Sequence, residues 1–170
     1  MASPEIQIRL AEPQDAPAIA RVLHESFVTY EALYTREGFA ATTPNADQIL
    51  ARKREGPVSL ALRGSKALGT IAAVVKGRSL YMRGMAVLPS ARGLGVGARL
   101  LQQVEQWASD QGCRRVFLST TPFLNTAIQL YERSDSGGPM RDRTIYLVPR
   151  HLRWRRMSFG KNDESRLTRN

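Results

Sequence analysis

The sequence predicts an α/β domain with a mixed sheet, in which the elements follow the order β-α-α-β-β-β-α-β-α. Two observations support this prediction. Short runs are apolar or alternate between apolar and polar residues, as strands do, and longer runs repeat apolar residues every three to four positions, as helices do. In addition, 170 residues with 42% hydrophobic content suit one domain with a substantial core.

The first predicted elements are a strand and two helices. The segment Ile6–Leu10 alternates apolar and polar residues, which predicts a strand. An amphipathic helix is predicted to begin near Asp15 and Pro17, with an apolar stripe of Ile19, Val22, Leu23, Ser26, Phe27, Tyr30 and Tyr34. The segment "REGFAATTPN" interrupts this pattern. A second helix, "ADQILARKRE", follows, with Asn45 as its N-cap.

Three strands are predicted next, over Val58–Arg63, Leu68–Lys76 and Ser79–Val87. The turn-rich segments "RGSK" and "KGRS" between them favour antiparallel hairpins. A long helix is predicted over residues 95–111, with Gly112 as its stop. A fifth strand, "RRVFLST", and a last short helix, "LNTAIQLYER", complete the predicted domain.

Composition restricts the classes of site and compartment. Cys113 is the single cysteine, which excludes an internal disulfide and a cysteine-based zinc site. The two histidines, His24 and His151, do not favour a histidine-rich metal site. The N-terminal "MASPEIQIRL" lacks the apolar run of a signal peptide, and "LGTIAAVV" is far shorter than the roughly 20 residues of a membrane span. We therefore expect a metal-free cytoplasmic protein.

The segment "VLPSARGLGVGARLL" concentrates glycine and arginine at a predicted strand-to-helix junction. The first N–H groups of a helix lack intrahelical partners and lie at the positive end of its dipole, which suits a phosphate. Glycine lets the backbone approach the anion, and Arg92 adds a cation. A simple turn is the alternative. The segment lacks the Gly-Lys-Ser/Thr of a Walker A loop and the downstream acidic residue of a Rossmann fingerprint.

Two motifs resemble the GNAT superfamily of acyl-CoA-dependent N-acyltransferases. The family signature Arg/Gln-x-x-Gly-x-Gly/Ala is matched by Arg92, Gly95 and Gly97. A second signature, Asn-x-x-Ala-x-x-Leu-Tyr, is matched on the last predicted helix by Asn125, Ala127, Leu130 and Tyr131. The motifs occur in the family order, and the resemblance covers roughly residues 6–133. It implies a mixed, mostly antiparallel sheet flanked by helices.

The resemblance also implies a role for each matched position. The resemblance implies acetyl-CoA as co-substrate. It also implies that the fourth and fifth strands splay apart, with Gly84 marking the bulge at which the splay starts. The backbone of Met85, Ala86 and Val87 would pair with the pantetheine amides, and Asn125 would hydrogen-bond the pantetheine arm. The pyrophosphate would be held by backbone amides of Arg92, Gly93, Leu94, Gly95, Val96, Gly97 and Ala98.

Tyr131 is the predicted catalytic residue, because a phenol near the sulfur can protonate the departing thiolate. A core tyrosine is the alternative interpretation of this position. The sequence does not single out the base that deprotonates the amine; the candidates in or after the first helix are His24, Glu25, Glu31 and Glu37. Tyr30 and Tyr34 lie on the apolar stripe and are interpreted as core residues, with an acceptor pocket as the alternative.

The chain departs from the family pattern after "LYER", where a Gly-Phe pair and two further strands are expected. Only "TIYLV" predicts a strand in residues 134–170. The tail can be encoded by several sets of synonymous codons. Some of these sets, translated in the neighbouring reading frame, give a Gly-Phe pair at the expected place and a strand-turn-strand ending. We therefore interpret residues 1–133 as the GNAT-like domain and residues 134–170 as its frameshifted end, with the shift near Arg133–Ser134. A genuine divergent basic tail is the alternative.

The net charge of +10 is concentrated in this tail. Residues 134–170 contain nine Lys/Arg and four Asp/Glu, which is half of the excess in about a fifth of the chain. If the tail is out of frame, its arginines were not selected for binding, and we do not expect nucleic acid as a partner. If the tail is genuine, arginines beside Trp154 would attract phosphate backbones or an acidic protein.

The sequence thus predicts an N-acetyltransferase that transfers acetyl from acetyl-CoA to a primary amine of a small molecule or protein. A non-catalytic GNAT-like domain or a basic nucleic-acid-binding module is the alternative. The acceptor, the base, the acyl-chain preference and the oligomeric state, a homodimer included, stay open.

Overall fold

The computed structural model describes residues 5–134, 142–147 and 155–159. One seven-stranded sheet has its strands in chain order: β1 Ile6–Leu10, β2 Val58–Arg63, β3 Lys66–Lys76, β4 Ser79–Val87, β5 Arg115–Thr120, β6 Asp142–Leu147 and β7 Arg155–Phe159. The pairs from β1 to β4 are antiparallel, as is β6 with β7, whereas β5 pairs in parallel with both β4 and β6. The predicted mixed, mostly antiparallel sheet is confirmed.

The helices are α1 Ala16–Phe27, α2 Arg36–Thr42, α3 Ala46–Glu55, α4 Val96–Asp110 and α5 Asn125–Ser134. They cover both faces of the sheet. α1 packs against α3, β3 and β4, whereas α4 packs along β1 to β5. Every residue of β3 from position 67 to 74 is buried, which requires cover on both faces; α1 with α3 provides one cover and α4 the other. The largest fully buried side chains include Ile19, Leu23, Ile49, Leu60, Ile71, Leu80 and Leu100.

The region after α1 differs from the prediction. The α-helix ends at Phe27, and residues 28–33 form a 3₁₀ helix, so Tyr30 and Tyr34 are not part of one continuous helix. The segment interpreted as a break contains α2, whose N-cap Thr35 accepts a hydrogen bond from the Gly38 N–H. The apolar spacing did not reveal the change because, over only six residues, 3.0 and 3.6 residues per turn place apolar positions similarly.

Several local predictions are confirmed. Asn45 caps α3 in a capping box, in which Asn45 Oδ1 accepts from the Gln48 N–H at 2.9 Å and Gln48 Oε1 accepts from the Asn45 N–H at 2.9 Å. Both predicted hairpins are antiparallel. Gly112 follows α4 with φ of +62°, a left-handed conformation that ends a helix.

The tail contains one more strand than the sequence analysis predicted. The segment "TIYLV" contributes to β6 as expected, but β7 was missed, because its five residues include only two apolar positions. The prediction that a single tail segment forms a strand is therefore wrong. His151, Trp154 and most of the segment interpreted as frameshifted lie outside the described residues. No helix in the described part of the chain is long and apolar enough to cross a membrane.

Candidate active site

β4 and β5 part midway along their length. They pair in parallel from Ser79 with Arg115 to Met82 with Leu118, whereas β4 continues to Val87 and β5 to Thr120. Beyond Met82, one side of β4 still pairs with β3, and in the described structure the other side has no strand partner. The splay that the family resemblance implies is therefore present.

A bulge in β4 coincides with the start of this splay. Thr70 and Ala72 of β3 pair with Ala86 and Arg83 of β4, so the β4 side has one extra residue. Gly84 lies in this interval with φ of +59°, a left-handed conformation that glycine adopts without strain. The prediction of a bulge at Gly84 is confirmed.

The bulge changes which face of the sheet the β4 side chains occupy. In a regular strand, Arg83 and Met85 would lie on the same face. Arg83 instead contacts Glu55 of α3, with 2.6 Å between Nη2 and Oε2. Met85 points to α4, since its Cε lies 3.4 Å from the position a Cβ on Gly97 would take. The edge formed by Met85, Ala86 and Val87 thus adjoins the beginning of α4.

The loop before α4 leaves backbone N–H groups exposed. Gly93 and Gly95 have φ of +79° and +76°, and a Cβ built on either would meet nothing within 4 Å. No side chain caps α4, and no backbone carbonyl in the described residues accepts from the N–H groups of residues 93–98. Arg92 and Leu94 are exposed beside them. Open space around uncapped N–H groups at a helix start fits a pyrophosphate.

Gly97, the second glycine of the motif, has a packing role. A Cβ on Gly97 would stand 2.6 Å from Cδ2 of Leu130, so the missing side chain lets α4 approach α5 closely. This contact fixes α5, which places Asn125, exposed at its first residue, and Tyr131 near its end. Gly93 and Gly95 therefore shape the loop, and Gly97 sets the distance between two helices.

Tyr131 is half-buried and packs against the core. Removal of its hydroxyl from water raises the pKa of the phenol above its ordinary value of about 10. The side chain therefore stays protonated at neutral pH and above. A group that is to donate a proton or a hydrogen bond must begin in this state.

A group of aromatic side chains joins the α1–α2 region to the turn before α5. This aromatic cluster consists of Tyr30, Tyr34, Phe39 and Phe123. Tyr34 meets Phe123 edge-on with ring centroids 4.8 Å apart, and Tyr30 stacks on Phe123 at 6.2 Å. Both tyrosines are half-buried, so their interpretation as core residues is wrong. Phe39 and Phe123 were not predicted from the sequence as site residues, although Phe123 stands two positions before Asn125.

The base candidates remain separate in the structure. His24, Glu25, Glu31 and Glu37 are all exposed. His24 makes an edge contact with Phe39 at 6.2 Å between ring centroids, which brings it next to the aromatic cluster. Burial raises the pKa of the Tyr34 phenol.

Comparison with known proteins agrees with this architecture. Residues 19–135 match the acetyltransferase (GNAT) family. The chain is 31% identical over 125 residues to the uncharacterized N-acetyltransferase YjgM of Escherichia coli, covering 70% of this chain and 74% of that protein. It is 33% identical over 57 residues to the thialysine N-epsilon-acetyltransferase of Bos taurus, covering 34% of each.

The fold is also similar to that of the PaiA N-acetyltransferase from Thermoplasma acidophilum, whose crystal structure is in complex with coenzyme A. That likeness has a TM-score of 0.68 at 17% identity, and it covers 76% of this chain and 87% of that one. The family match spans more than half of the chain, so the chain belongs to the GNAT family of acetyltransferases, which use acetyl-CoA as co-substrate.

Proposed function

We propose that the protein transfers the acetyl group of acetyl-CoA to a primary amine of a small molecule or protein. The observation that supports this most directly is the gap between β4 and β5, which opens at Gly84 beside the uncapped start of α4. In the part of the chain that the structure describes, an unpaired strand edge and a set of free N–H groups lie next to each other there. These are the groups that an extended amide-containing arm and a pyrophosphate require.

The cofactor would be held mainly by backbone. The edge of Met85, Ala86 and Val87 would pair with the pantetheine amides as an added strand would. The N–H groups from Gly93 to Ala98 would bind the pyrophosphate. The Arg92 N–H, which was predicted to join them, donates instead to the Pro89 carbonyl, so Arg92 would contribute its guanidinium. Asn125 would donate or accept a hydrogen bond at the pantetheine arm. When bound, acetyl-CoA supplies an acetyl group activated as a thioester.

The chain's own groups would then stabilise charge as the amine attacks. The N–H groups on the free edge of β4 would donate hydrogen bonds to the carbonyl oxygen, which gains negative charge; one such donor contributes about 3–4 kcal/mol. The Tyr131 hydroxyl would donate to the departing sulfur. Because its pKa is raised well above the thiol range of about 8.5, full proton transfer is unfavourable at first, and a hydrogen bond precedes it.

The acceptor would enter from the face that carries α1, α2 and α3, where the aromatic cluster lies. An apolar wall of this kind favours the neutral amine, which is the form that attacks. We assign no base among His24 and the nearby glutamates. We propose a cytoplasmic enzyme with an amine acceptor and no nucleic-acid partner, while a homodimer stays a prediction of the sequence.

The test is an assay of the full-length protein with acetyl-CoA and a panel of primary amines. Free thiol release and acetylated product are measured together. We expect amine-dependent thiol release in a one-to-one ratio with product. Acetyl-CoA binding without amine-dependent release for any acceptor would instead identify a non-catalytic GNAT-like domain.

A further inference from the structure

Two arginines lie beside the bulge at which β4 and β5 part. Arg52 comes from α3 and Arg83 from β4, immediately before Gly84. Nη1 of Arg52 is 3.1 Å from the position that a Cβ on Gly84 would take, so a side chain at that position would crowd the guanidinium. The two arginines therefore adjoin the gap on the face of the sheet opposite α4.

The contacts of these arginines leave donor groups unused. Arg52 Nη2 donates to the Ala41 carbonyl at 2.8 Å, which ties α3 to α2, and no described hydrogen bond uses Nη1. Arg83 Nη2 donates to Glu55 Oε2 at 2.6 Å. Arg83 Nε is buried and has no acceptor in the described structure. A buried N–H of a charged group without an acceptor is costly, and it is expected to have a partner in the working protein.

The charges of Arg52, Arg83 and Glu55 do not balance. Arg52 is half-buried, and the Arg83 side chain is 22% exposed. Glu55, whose side chain is 52% exposed, forms an ion pair with Arg83 and acts on Arg52 through its charge. Burial and the neighbouring positive charge of Arg83 lower the pKa of the Arg52 guanidinium, although it stays charged at neutral pH. Two positive charges therefore face one partly solvated negative charge, and one positive charge is left over.

We propose that Arg52 and Arg83 bind a carboxylate on the acceptor, so that the substrate class is amines that also carry a carboxylate. This inference rests on the proposed function, since it names the acceptor of the same reaction. One uncompensated positive charge matches one carboxylate, and the planar guanidinium fork suits two carboxylate oxygens. With the carboxylate held there, the amine end of the molecule lies toward the gap. The aromatic cluster contributes no charge of its own, so the arginines set the preference.

The test compares matched acceptors. The acceptors are unbranched ω-amino acids from glycine to 6-aminohexanoate. Each is compared with the n-alkylamine of the same carbon number, which lacks the carboxylate, and kcat and KM are measured separately. For at least one chain length we expect a preference of about tenfold or more for the carboxylate member, mainly through KM, because a charge-assisted hydrogen bond to a partly buried site contributes that much.

Three variants attribute the preference. Arg52→Gln and Arg83→Gln should each remove most of the preference, measured as the ratio of kcat/KM for the carboxylate member to kcat/KM for the alkylamine. Arg54→Gln, an exposed arginine on the same helix, is the matched control and should keep it. Equal kcat/KM for both members at every chain length, or a preference that survives both variants, would overturn the proposal.

A binding measurement separates this proposal from the proposed function. Calorimetric titration of 6-acetamidohexanoate and of N-hexylacetamide into the CoA-saturated protein needs no turnover, and the shorter N-acetylated pairs follow in the same way. Tighter binding of the carboxylate member, lost in Arg52→Gln, supports the arginine site even if no amine is acetylated. Acetylation of alkylamines without any carboxylate preference would overturn the arginine site and leave the proposed function standing.

Discussion

Gly69 of β3 is the position at which the smallest change should disturb the cofactor site. A Cβ there would stand 2.9 Å from the Ala86 carbonyl oxygen, 3.0 Å from Val96 Cγ1 and 3.2 Å from Leu100 Cδ1. The first of these is backbone of β4, and the other two belong to the first turns of α4. The substitution Gly69→Ala therefore presses apart the two elements whose N–H groups form the proposed site.

The magnitude follows from two opposing effects. Overpacking of a well-packed core costs about 1–3 kcal/mol. Replacement of glycine by alanine in a strand recovers roughly 0.5–1 kcal/mol. We expect a net loss of about 1–2 kcal/mol in the free energy of unfolding, and about two- to tenfold weaker binding of acetyl-CoA, equivalent to one weakened hydrogen bond. Urea unfolding and calorimetric titration measure the two effects.

Gly64→Ala is the matched control. Gly64 has φ of +59° in the β2–β3 turn, and a Cβ there would meet nothing within 4 Å. The alanine is strained by about 1–2 kcal/mol, so it destabilises to a similar extent without touching β4 or α4. Acetyl-CoA affinity should be unchanged in this variant. Wild-type stability and affinity in Gly69→Ala, or equal loss of affinity in both variants, would refute the reasoning.

Three further predictions follow from the structure. Tyr131→Phe should lower kcat about 10²-fold with little change in acetyl-CoA affinity. A normal kcat in this variant would contradict the role of Tyr131 as the donor to the departing sulfur. Because the pKa of Tyr131 is raised, ionisation of this phenol should cause no loss of wild-type activity below about pH 10. The ion pair with Arg9 lowers the pKa of Asp15, so the pair stabilises the fold above the unfolded pKa of about 3.9, and this contribution is lost as pH falls through the folded pKa. Asp15→Asn should reduce the pH dependence of the free energy of unfolding in this range by less than about 1 kcal/mol, because Arg9 is exposed. An unchanged pH profile would argue against this contribution. Sequencing the coding DNA should find a Gly-Phe pair in the neighbouring frame, one codon after codon 133. Its absence would leave residues 134–170 as a genuine tail.

Features that depend on local sequence could be predicted. The alternation in β1, the Asn45 cap and the hairpin turns each follow from a few adjacent residues, and the structure confirms them. The bulge at Gly84 was also predicted, because the family resemblance placed the splay there. The strand, the cap and the hairpin turns need no knowledge of what lies opposite in the fold, whereas the bulge was predicted from the resemblance.

Features that depend on distant partners could not be predicted. Tyr34 looked like part of an apolar helical stripe, and only Phe123, far along the chain, shows that it lines a partly exposed cluster. Nothing in the sequence singled out Arg52 and Arg83, because they come from α3 and β4 and are neighbours only in the fold. No sequence signal indicated that Gly69 must lack a side chain, because this requirement comes from the close approach of β4 and α4 to β3 at this position.

The central claim is that the loop before α4 and the free edge of β4 bind acetyl-CoA. Calorimetric titration of acetyl-CoA into the full-length protein tests it most directly, with Gly95→Glu and Gly64→Glu compared side by side. Both glycines have a left-handed φ and open space, so both variants carry similar strain, and only one places a carboxylate at the pyrophosphate site. We predict binding by the wild-type protein and by Gly64→Glu, and none by Gly95→Glu. No binding by the folded wild-type chain, or equal binding by both variants, would contradict the account.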